Sequence, residues 1–197
     1  MISSELFEKY GGRQVSLKKG GFLFYEGEPA LHYFEVFSGT VKMVNFSDDG
    51  QEFTQGMFVQ GESFGEPPLF AGLNYPSNAV AVEDAVVWKL ARERFLELLK
   101  DNFELHLAFT VKLSQRIHYK ATIMRGISSY APDHRIIAFI DYLKQSSQIP
   151  QDQPFEVPFT RQQIADMTGL RVETVIRTIK LLEQQGKLFI KNRKVFR

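Results

Sequence analysis

The stretch that most constrains this chain runs from Thr160 to Gln185 and reads TRQQIADMTGLRVETVIRTIKLLEQQ. It predicts the start of a helix at Thr160, whose hydroxyl can cap the backbone while Gln163 completes a capping box. Gly169 then breaks the run, and a second helix is predicted from about Val172 to Gln184. Two helices joined by a short turn with glycine are typical of a helix-turn-helix, whose second helix enters the major groove of DNA.

The second of these helices has two chemically different sides. At 100° per residue, one side is apolar and carries Val175, Ile179 and Leu182. The opposite side carries one acid and two bases, Glu173, Arg177 and Lys180. Arginine reads guanine and glutamate accepts from the cytosine amine, so this side is predicted to read base edges. From these residues alone, an ordinary helical hairpin with a Glu173–Arg177 surface ion pair stays open as the alternative.

Extended to TRQQIADMTGLRVETVIRTIKLLEQQGKL, the stretch resembles the DNA-binding helix-turn-helix of the Crp/Fnr regulators, TRxxIAxxxGxxxETVxRxLxxLexxGxI. The matching positions are Thr160, Arg161, Ile164, Ala165, Gly169, Glu173, Thr174, Val175, Arg177, Leu182, Glu183 and Gly186. The resemblance implies a transcription regulator that contacts double-stranded DNA through Thr160, Arg161, Gln162, Arg171, Val172, Glu173, Thr174 and Arg177. Val172 stands where cAMP-dependent members carry a base-reading arginine, and Ile176 where oxygen-sensing members carry serine. The half-site therefore stays open.

Residues 14–90 predict many short strands punctuated by glycines, with a hairpin turn at Asp49-Gly50, which favours a small jelly roll or β-barrel. The named strands are Phe22–Tyr25, Leu31–Phe37, Thr40–Phe46, Ala79–Val82 and Ala85–Leu90, followed by a helix over Ala91–Leu99. FLFYEGEPALHYFEVFSGTVKMV and QGESFGEPPLF resemble the cyclic-nucleotide-binding fold of the same family. The predicted class is therefore α+β. An N-terminal double-stranded β-helix (jelly roll) spans 1–100, a long dimerisation helix 101–128 and a winged helix-turn-helix 129–197.

The segment 101–127 lacks proline and predicts one helix that is apolar on more than one side. Its apolar residues are Phe109, Leu113, Ile117 and Met124, with Leu107, Val111, Ala121 and Ile123 beside them. We expect it to pack on the roll and on a second copy, with Phe109, Leu113 and Ile117 in the seam, since a helix-turn-helix normally reads paired half-sites through two-fold symmetry. A long core helix in a monomer is the alternative.

The C-terminal third predicts a hinge, a helix and a wing around the helix-turn-helix. The hinge is Ser128–Pro132, and the helix runs from Asp133 to Lys144. Two short strands, Leu188–Ile190 and Lys194–Phe196, alternate around Asn192-Arg193 and predict a wing with basic residues at its tip. Residues 1–128 hold 13 Lys/Arg and 16 Asp/Glu, whereas residues 129–197 hold 11 and 7. This basic C-terminal module fits phosphate contact by one end of the chain only.

Whether the roll binds a cyclic nucleotide depends on the stretch GEPPLFAGLNYPSNA. The resemblance aligns it with GELxLFxxxxRSA, in which glutamate bonds the ribose and the Arg-Ser pair holds the cyclic phosphate. It implies an effector pocket at Gly65, Glu66, Pro76, Ser77, Lys120 and Ala121. Pro76 replaces the arginine, and Lys120 and Ala121 replace the Thr-Ser adenine contacts. Losing one charge-assisted hydrogen bond removes about 1.5–3 kcal/mol, so we expect that cAMP is not the effector and that no cofactor is required.

Other function classes find little support in the sequence. The chain has no cysteine, which excludes thiolate metal sites and cysteine-held clusters, and we expect a cytoplasmic protein without a membrane span or signal peptide. Its histidines lack metal-binding spacing, and we expect neither a metal site nor an enzyme: His32, His106, His118 and His134. A cyclic-nucleotide-binding module that acts on a protein partner is the alternative function. RNA polymerase is the expected partner if the protein is an activator.

Overall fold

The computed structural model describes residues 2–47, 50, 52–128, 131–147, 149–150 and 152–197, with side chains except at positions 119, 122–128 and 146. The chain divides into two compact units, Met1–Thr110 and Val111–Arg197. The elements of the first are α1 (Ser4–Lys9), β1 (Arg13–Leu17), β2 (Phe22–Phe24), β3 (His32–Ser38), β4 (Val41–Phe46), β5 (Glu52–Phe58), β6 (Ser63–Phe64), α2 (Glu66–Ala71), β7 (Asn78–Ala81), β8 (Ala85–Ala91) and α3 (Arg92–Asp101). The remaining elements are α4 (Phe103–Ser128), α5 (Pro132–Ser146), α6 (Arg161–Thr168), α7 (Val172–Gln184), β9 (Phe189–Lys191) and β10 (Lys194–Phe196).

The first unit is built on two four-stranded antiparallel sheets. Their strand orders are β1-β8-β3-β6 and β2-β7-β4-β5. Strands far apart in the sequence are neighbours in both sheets, as when β3 pairs with β8 from His32 opposite Ala91 to Ser38 opposite Val86. The predicted α+β class with a jelly-roll N-terminal domain is confirmed. Asp49 of the predicted hairpin turn lies outside the described residues, while the flanking strands β4 and β5 do pair.

Aromatic side chains fill much of the core of this roll. The rings of Phe7 and Trp88 stack with centroids 4.7 Å apart, and Tyr33 stacks on Phe95 at 4.0 Å. Phe24 stacks on Tyr75 at 3.6 Å. Such pairs add to the area that their rings bury, so each ties two elements that are distant in the sequence. Phe7 belongs to α1, a short helix that the sequence analysis did not predict.

The predicted strand and helix bounds are close to those observed, but α2 was missed. Its sequence, EPPLFA, has two prolines near its start, and prolines usually indicate that a helix is interrupted. Proline is nevertheless favoured in the first helical turn, where its missing N–H is not needed. Gly65 precedes the helix with φ +75°, and an added Cβ would lie 3.2 Å from the Tyr75 ring. The turn and the buried ring therefore both favour glycine at this position.

The second unit contains the helix-turn-helix and its own hydrophobic core. That core is formed by α5, α6, α7 and the β9–β10 hairpin, and its fully buried residues include Ile136, Phe139, Ile140, Ile164 and Leu182. At the predicted hinge, α4 ends at Ser128 and α5 begins at Pro132, while Ser129 and Tyr130 lie outside the described residues. No helix among the described residues is long and apolar enough to cross a membrane.

Candidate nucleic-acid interface

Local hydrogen bonds define where α6 begins and ends. The Thr160 hydroxyl accepts from the Gln163 N–H at 3.2 Å, and the Gln163 side chain accepts from the Thr160 N–H at 2.8 Å. This reciprocal pair is the predicted capping box. Gly169 ends the helix with φ +66°, a left-handed value that glycine adopts without steric cost. The two ends of α6 are therefore each determined by a few neighbouring residues.

The recognition helix α7 presents the predicted polar side to solvent. It runs from Val172 to Gln184, with Val175, Ile179 and Leu182 buried. Its opposite side is exposed and carries Glu173, Ile176, Arg177 and Lys180. No ion pair joins Glu173 to Arg177 within the part of the chain that the structure describes. The surface ion pair of the alternative interpretation is thus not formed, and both side chains face outward with no partner in their own helix.

The other predicted DNA contacts cluster near the two helix N-termini, with different degrees of availability. Arg171 is exposed at the start of α7, while Val172 and Thr174 are half-buried. The Gln162 amide donates to the Asp166 carboxylate at 2.7 Å. If Gln162 and Thr160 contact DNA, they would do so while their side chains also form hydrogen bonds within the protein. The assignment of all eight DNA contacts stays a prediction.

Arg161 has a role in the fold that the sequence analysis missed. Its Nη1 donates to the backbone carbonyl of Arg193 at 2.8 Å and thereby joins the first residue of α6 to the wing tip. A second bond joins the wing to α7, because the Glu183 carboxylate accepts from the Ile190 N–H at 3.1 Å. Arg161 and Glu183 both belong to the quoted family pattern, which was the available signal. The wing is therefore held against both helices of the helix-turn-helix.

The predicted effector pocket is partly buried within the roll. Gly65, Glu66 and Ser77 are buried, whereas Pro76 is exposed and its carbonyl accepts from the Asn45 amide at 2.7 Å. The Ser77 hydroxyl has no hydrogen-bond partner among the described residues. A buried hydroxyl without a partner costs free energy unless something else satisfies it. Ser77 is thus the polar group of this pocket that most favours a further hydrogen-bonding partner.

The remaining pocket residues, Lys120 and Ala121, lie on α4 and are exposed. Both belong to the second compact unit, and their part in an effector pocket stays a prediction.

Burial lowers the pKa of His32, and the nearby Lys89 lowers it further, so this histidine tends to be neutral. Within the described residues, no three His, Asp or Glu side chains gather as a metal site requires.

The predicted dimer seam on α4 is only partly exposed. Phe109 packs in its own roll, with ring centroids 5.4 Å from Phe95 and 5.7 Å from Phe70. Leu113 is half-buried, and Ile117 is 70% exposed. Among the side chains that the structure describes on this helix, the large apolar ones that face solvent are Phe103, Leu107, Val111 and Ile117. At 100° per residue these four lie within about 120° of one another, so they form one stripe, named here the α4 stripe. Of the predicted seam residues, only Ile117 belongs to it.

Comparisons with known proteins agree with both units. The family model of the cyclic nucleotide-binding domain matches residues 14–102, and that of the Crp-like helix-turn-helix domain matches residues 134–196. The transcriptional activator protein anr of Pseudomonas aeruginosa is 30% identical over 184 residues, which cover 91% of this chain and 74% of the relative. The cAMP-activated global transcriptional regulator CRP of Haemophilus influenzae is 26% identical over 166 residues, covering 83% and 74%.

Solved structures share the whole fold. The c-di-GMP responsive global regulator CLP of Xanthomonas campestris superposes with a TM-score of 0.73 at 22% identity, covering 98% of both chains. FixK2 of Bradyrhizobium japonicum superposes with a TM-score of 0.72 at 22% identity, covering 93% of this chain and 91% of its own. The relatives named above are transcription regulators and not enzymes. The chain therefore belongs to the Crp/Fnr family of DNA-binding transcription regulators.

Proposed function

We propose that this regulator binds a palindromic operator as a homodimer and reads each half-site with the exposed side of α7. The observation that carries the proposal is the pair Glu173 and Arg177, one helical turn apart and exposed. Arg177 would donate to guanine O6/N7 and Glu173 would accept from a cytosine amine. Val172 or Ile176 would contact a thymine methyl, and Thr160, Arg161, Gln162, Arg171 and Thr174 would contact phosphates or neighbouring bases. Both halves of the dimer would then contact one face of the duplex, about one helical turn apart.

The homodimer is supported by the α4 stripe. Four large apolar side chains exposed along one helix are more than a monomer needs to leave in water, and they suit a second copy of the same helix. Each half-site alone would be bound weakly, so the stripe would also control operator affinity through the second contact. RNA polymerase would be a further partner if the regulator activates transcription. Such a regulator works where the DNA lies, which in a bacterium is the cytoplasm.

We also propose that the effector, if the roll binds one, is not cAMP. Pro76 supplies neither the cation nor the planar donor that the family pattern places there. The known relatives do not identify the effector. CRP of Haemophilus influenzae is named for activation by cAMP, whereas CLP of Xanthomonas campestris, which is similarly distant in sequence, is named for its response to c-di-GMP. The buried Ser77 hydroxyl favours a small ligand with a hydrogen-bonding group.

The experiment that tests the DNA proposal selects operator sequences with the purified full chain and with Arg177→Ala. The parent should select a palindrome. Arg177→Ala should lose about 1–3 kcal/mol on that site and relax one base position in each half-site. Lys180→Ala, which removes an exposed cation farther along the same helix, is the matched control and should retain the base preference. Equal affinity and equal base preference of Arg177→Ala and the parent would contradict the proposal.

A further inference from the structure

The tip of the wing has an unusual backbone for the residues that form it. Strands β9 and β10 pair from Lys191 opposite Lys194, which leaves Asn192 and Arg193 as a two-residue connection. Both have positive φ, 51° and 64°. A two-residue hairpin turn of this kind strongly prefers glycine at its second position, while asparagine suits the first. An arginine held in a left-handed conformation is strained, and residues held this way cluster at functional sites.

The cations of the wing divide into two groups. Lys194 pairs with Glu156, and the Arg197 guanidinium bonds the Asp141 carboxylate at 2.6 Å. Lys191 and Arg193 are exposed, and no carboxylate of the described residues pairs with either one. The two cations at the tip are therefore left for an anion outside the protein. Lys194, which lies directly opposite Lys191 in the hairpin, and Arg197 instead help to hold the hairpin in its place through their ion pairs.

The tip is also held in a defined position next to the predicted phosphate contacts. The Arg161 guanidinium, on the first residue of α6, holds the Arg193 carbonyl at 2.8 Å. The Glu183 carboxylate, near the end of α7, holds the backbone of Ile190 at 3.1 Å. Two contacts from two helices leave the hairpin little freedom. If Arg161 contacts a phosphate, as predicted, the tip that it holds lies beside the same stretch of DNA backbone.

We propose that the wing tip is a second DNA-reading element, in which Arg193 enters the minor groove beside each half-site and favours A·T pairs there. The proposal rests on the proposed function, since α7 must first occupy the major groove. A·T-rich flanks narrow the minor groove and concentrate negative potential, which attracts a guanidinium in particular. A G·C pair instead places the guanine N2 amine in the minor groove. Arg161 is then a positioning residue that acts through the Arg193 carbonyl.

The first experiment varies only the flanks of the selected operator. The full chain is titrated with duplexes that carry the same core and either A·T, G·C or inosine·C flanks. Inosine·C keeps the major-groove pattern of G·C but lacks the N2 amine. Binding should weaken about fivefold from A·T to G·C flanks and recover with inosine·C, since the difference lies in the minor groove. Equal affinity for all three flanks would overturn the proposal.

Variants of Arg193 then separate the guanidinium from folding and from charge. Arg193→Gly removes the side chain at a position where glycine relieves strain, so its melting temperature should equal or exceed the parent's. Its flank preference should vanish, and its salt slope should fall by about one. Arg193→Lys keeps the charge and should keep the salt slope while losing most of the flank preference. Flank preference retained by Arg193→Gly would overturn the proposal.

The double variant Arg161→Ala/Arg193→Gly tests the positioning role. If Arg161 orders the tip, Arg161→Ala by itself should abolish the flank preference. Added to Arg193→Gly, which has already lost that preference, it should change the flank preference no further. Flank preference that survives Arg161→Ala would remove Arg161 from the proposal. The base preference at the core, which depends on Arg177, should persist in Arg193→Gly and in Arg193→Lys. A core preference without a flank preference would reject the wing inference alone, whereas no specific binding by the parent would reject the proposed function.

Discussion

Thr160 illustrates how one side chain at the proposed DNA surface is also part of the fold. Its hydroxyl accepts one backbone N–H at 3.2 Å, while its own N–H donates to Gln163 at 2.8 Å. The same hydroxyl is predicted to lie near a phosphate. A loss of DNA affinity on substitution at Thr160 would therefore mix a local loss of helix stability with a lost contact. The two effects are separable only when stability is measured beside binding.

Thr160→Ala should lower the free energy of unfolding by about 0.5–2 kcal/mol, because the cap of α6 loses its acceptor. Chemical denaturation of the full chain, followed by circular dichroism, measures this. Thr160→Ser keeps the hydroxyl and is the matched control, with a loss near zero. A fully stable Thr160→Ala would show that the capping box does not limit the stability of the second unit.

Gly39 is the glycine of the roll where the backbone most clearly excludes a side chain. Its φ is +79°, and an added Cβ would lie 2.5 Å from the Asp84 carbonyl oxygen. Gly27 has a similar φ of +86°, but nothing lies within 4 Å of its added Cβ. Gly27→Ala should show the cost of the left-handed backbone alone, roughly 1–2 kcal/mol. Gly39→Ala should have a clearly lower melting temperature than Gly27→Ala. Equal melting temperatures would show that the backbone near Asp84 does not exclude a side chain at position 39.

At the scale of a whole element, α4 shows why a helical stripe cannot be assigned from spacing alone. The residues Phe109, Leu113 and Ile117 follow one another at four-residue intervals, as a seam would. Phe109 nevertheless turns toward Tyr33, Phe70 and Phe95 of its own roll. The exposed α4 stripe is displaced around the helix, to Phe103, Leu107 and Val111 beside Ile117. A helix apolar on two sides offers two candidate seams, and only the packing of the roll selects between them.

Ile117→Glu should convert the proposed dimer to a monomer without unfolding the chain. The side chain is 70% exposed, so a charge there costs little within one copy but would be buried against the second. Light scattering at micromolar concentration measures the mass, and the variant should also lose specific operator binding. Ala108→Glu adds a charge at an exposed residue about 60° beyond the edge of the α4 stripe and is the control. A dimeric Ile117→Glu variant, or a monomeric parent, would contradict this assignment.

For the whole molecule, two compact units divide the charge and the chemistry. Residues 1–128 carry a net charge of −3 and residues 129–197 carry +4, so the two parts of the chain have net charges of opposite sign. DNA is thus attracted to residues 129–197 and repelled by residues 1–128, which favours one orientation of approach. The roll and the helix-turn-helix belong to different compact units. An effector is therefore best tested on the full chain.

Millimolar cAMP should leave the melting temperature of the full chain unchanged. A ligand present at 1,000 times its dissociation constant would add about 4 kcal/mol to the stability of the state that binds it, which is readily detected. Pro76→Arg is the matched variant, since it restores the cation of the family pattern and should bind cAMP better than the parent. Micromolar binding of cAMP by the parent, with a matching gain in operator affinity, would contradict the proposal.

The sequence by itself determined the helix-turn-helix, because its signals are local. The capping box spans Thr160 to Gln163, the break is a single glycine, and the two sides of α7 follow from the pitch of one helix. The class of the roll could also be predicted, from short strands and glycines along one continuous segment. The patterns of the helix-turn-helix, unlike the strand pairing of the roll, are complete within the reach of a few hydrogen bonds along the chain. They therefore hold whatever the rest of the molecule does.

Tertiary structure alone decided which residues of these elements meet. Arg161 and Arg193 are 32 positions apart, and the ring of Phe109 packs on rings far away in the chain, so no local pattern pairs them. The buried and unpartnered hydroxyl of Ser77 is likewise a property of its surroundings. Such contacts depend on how strands and helices stack once a core has formed. For that reason the exposed side of α4 and the position of the wing required the folded molecule.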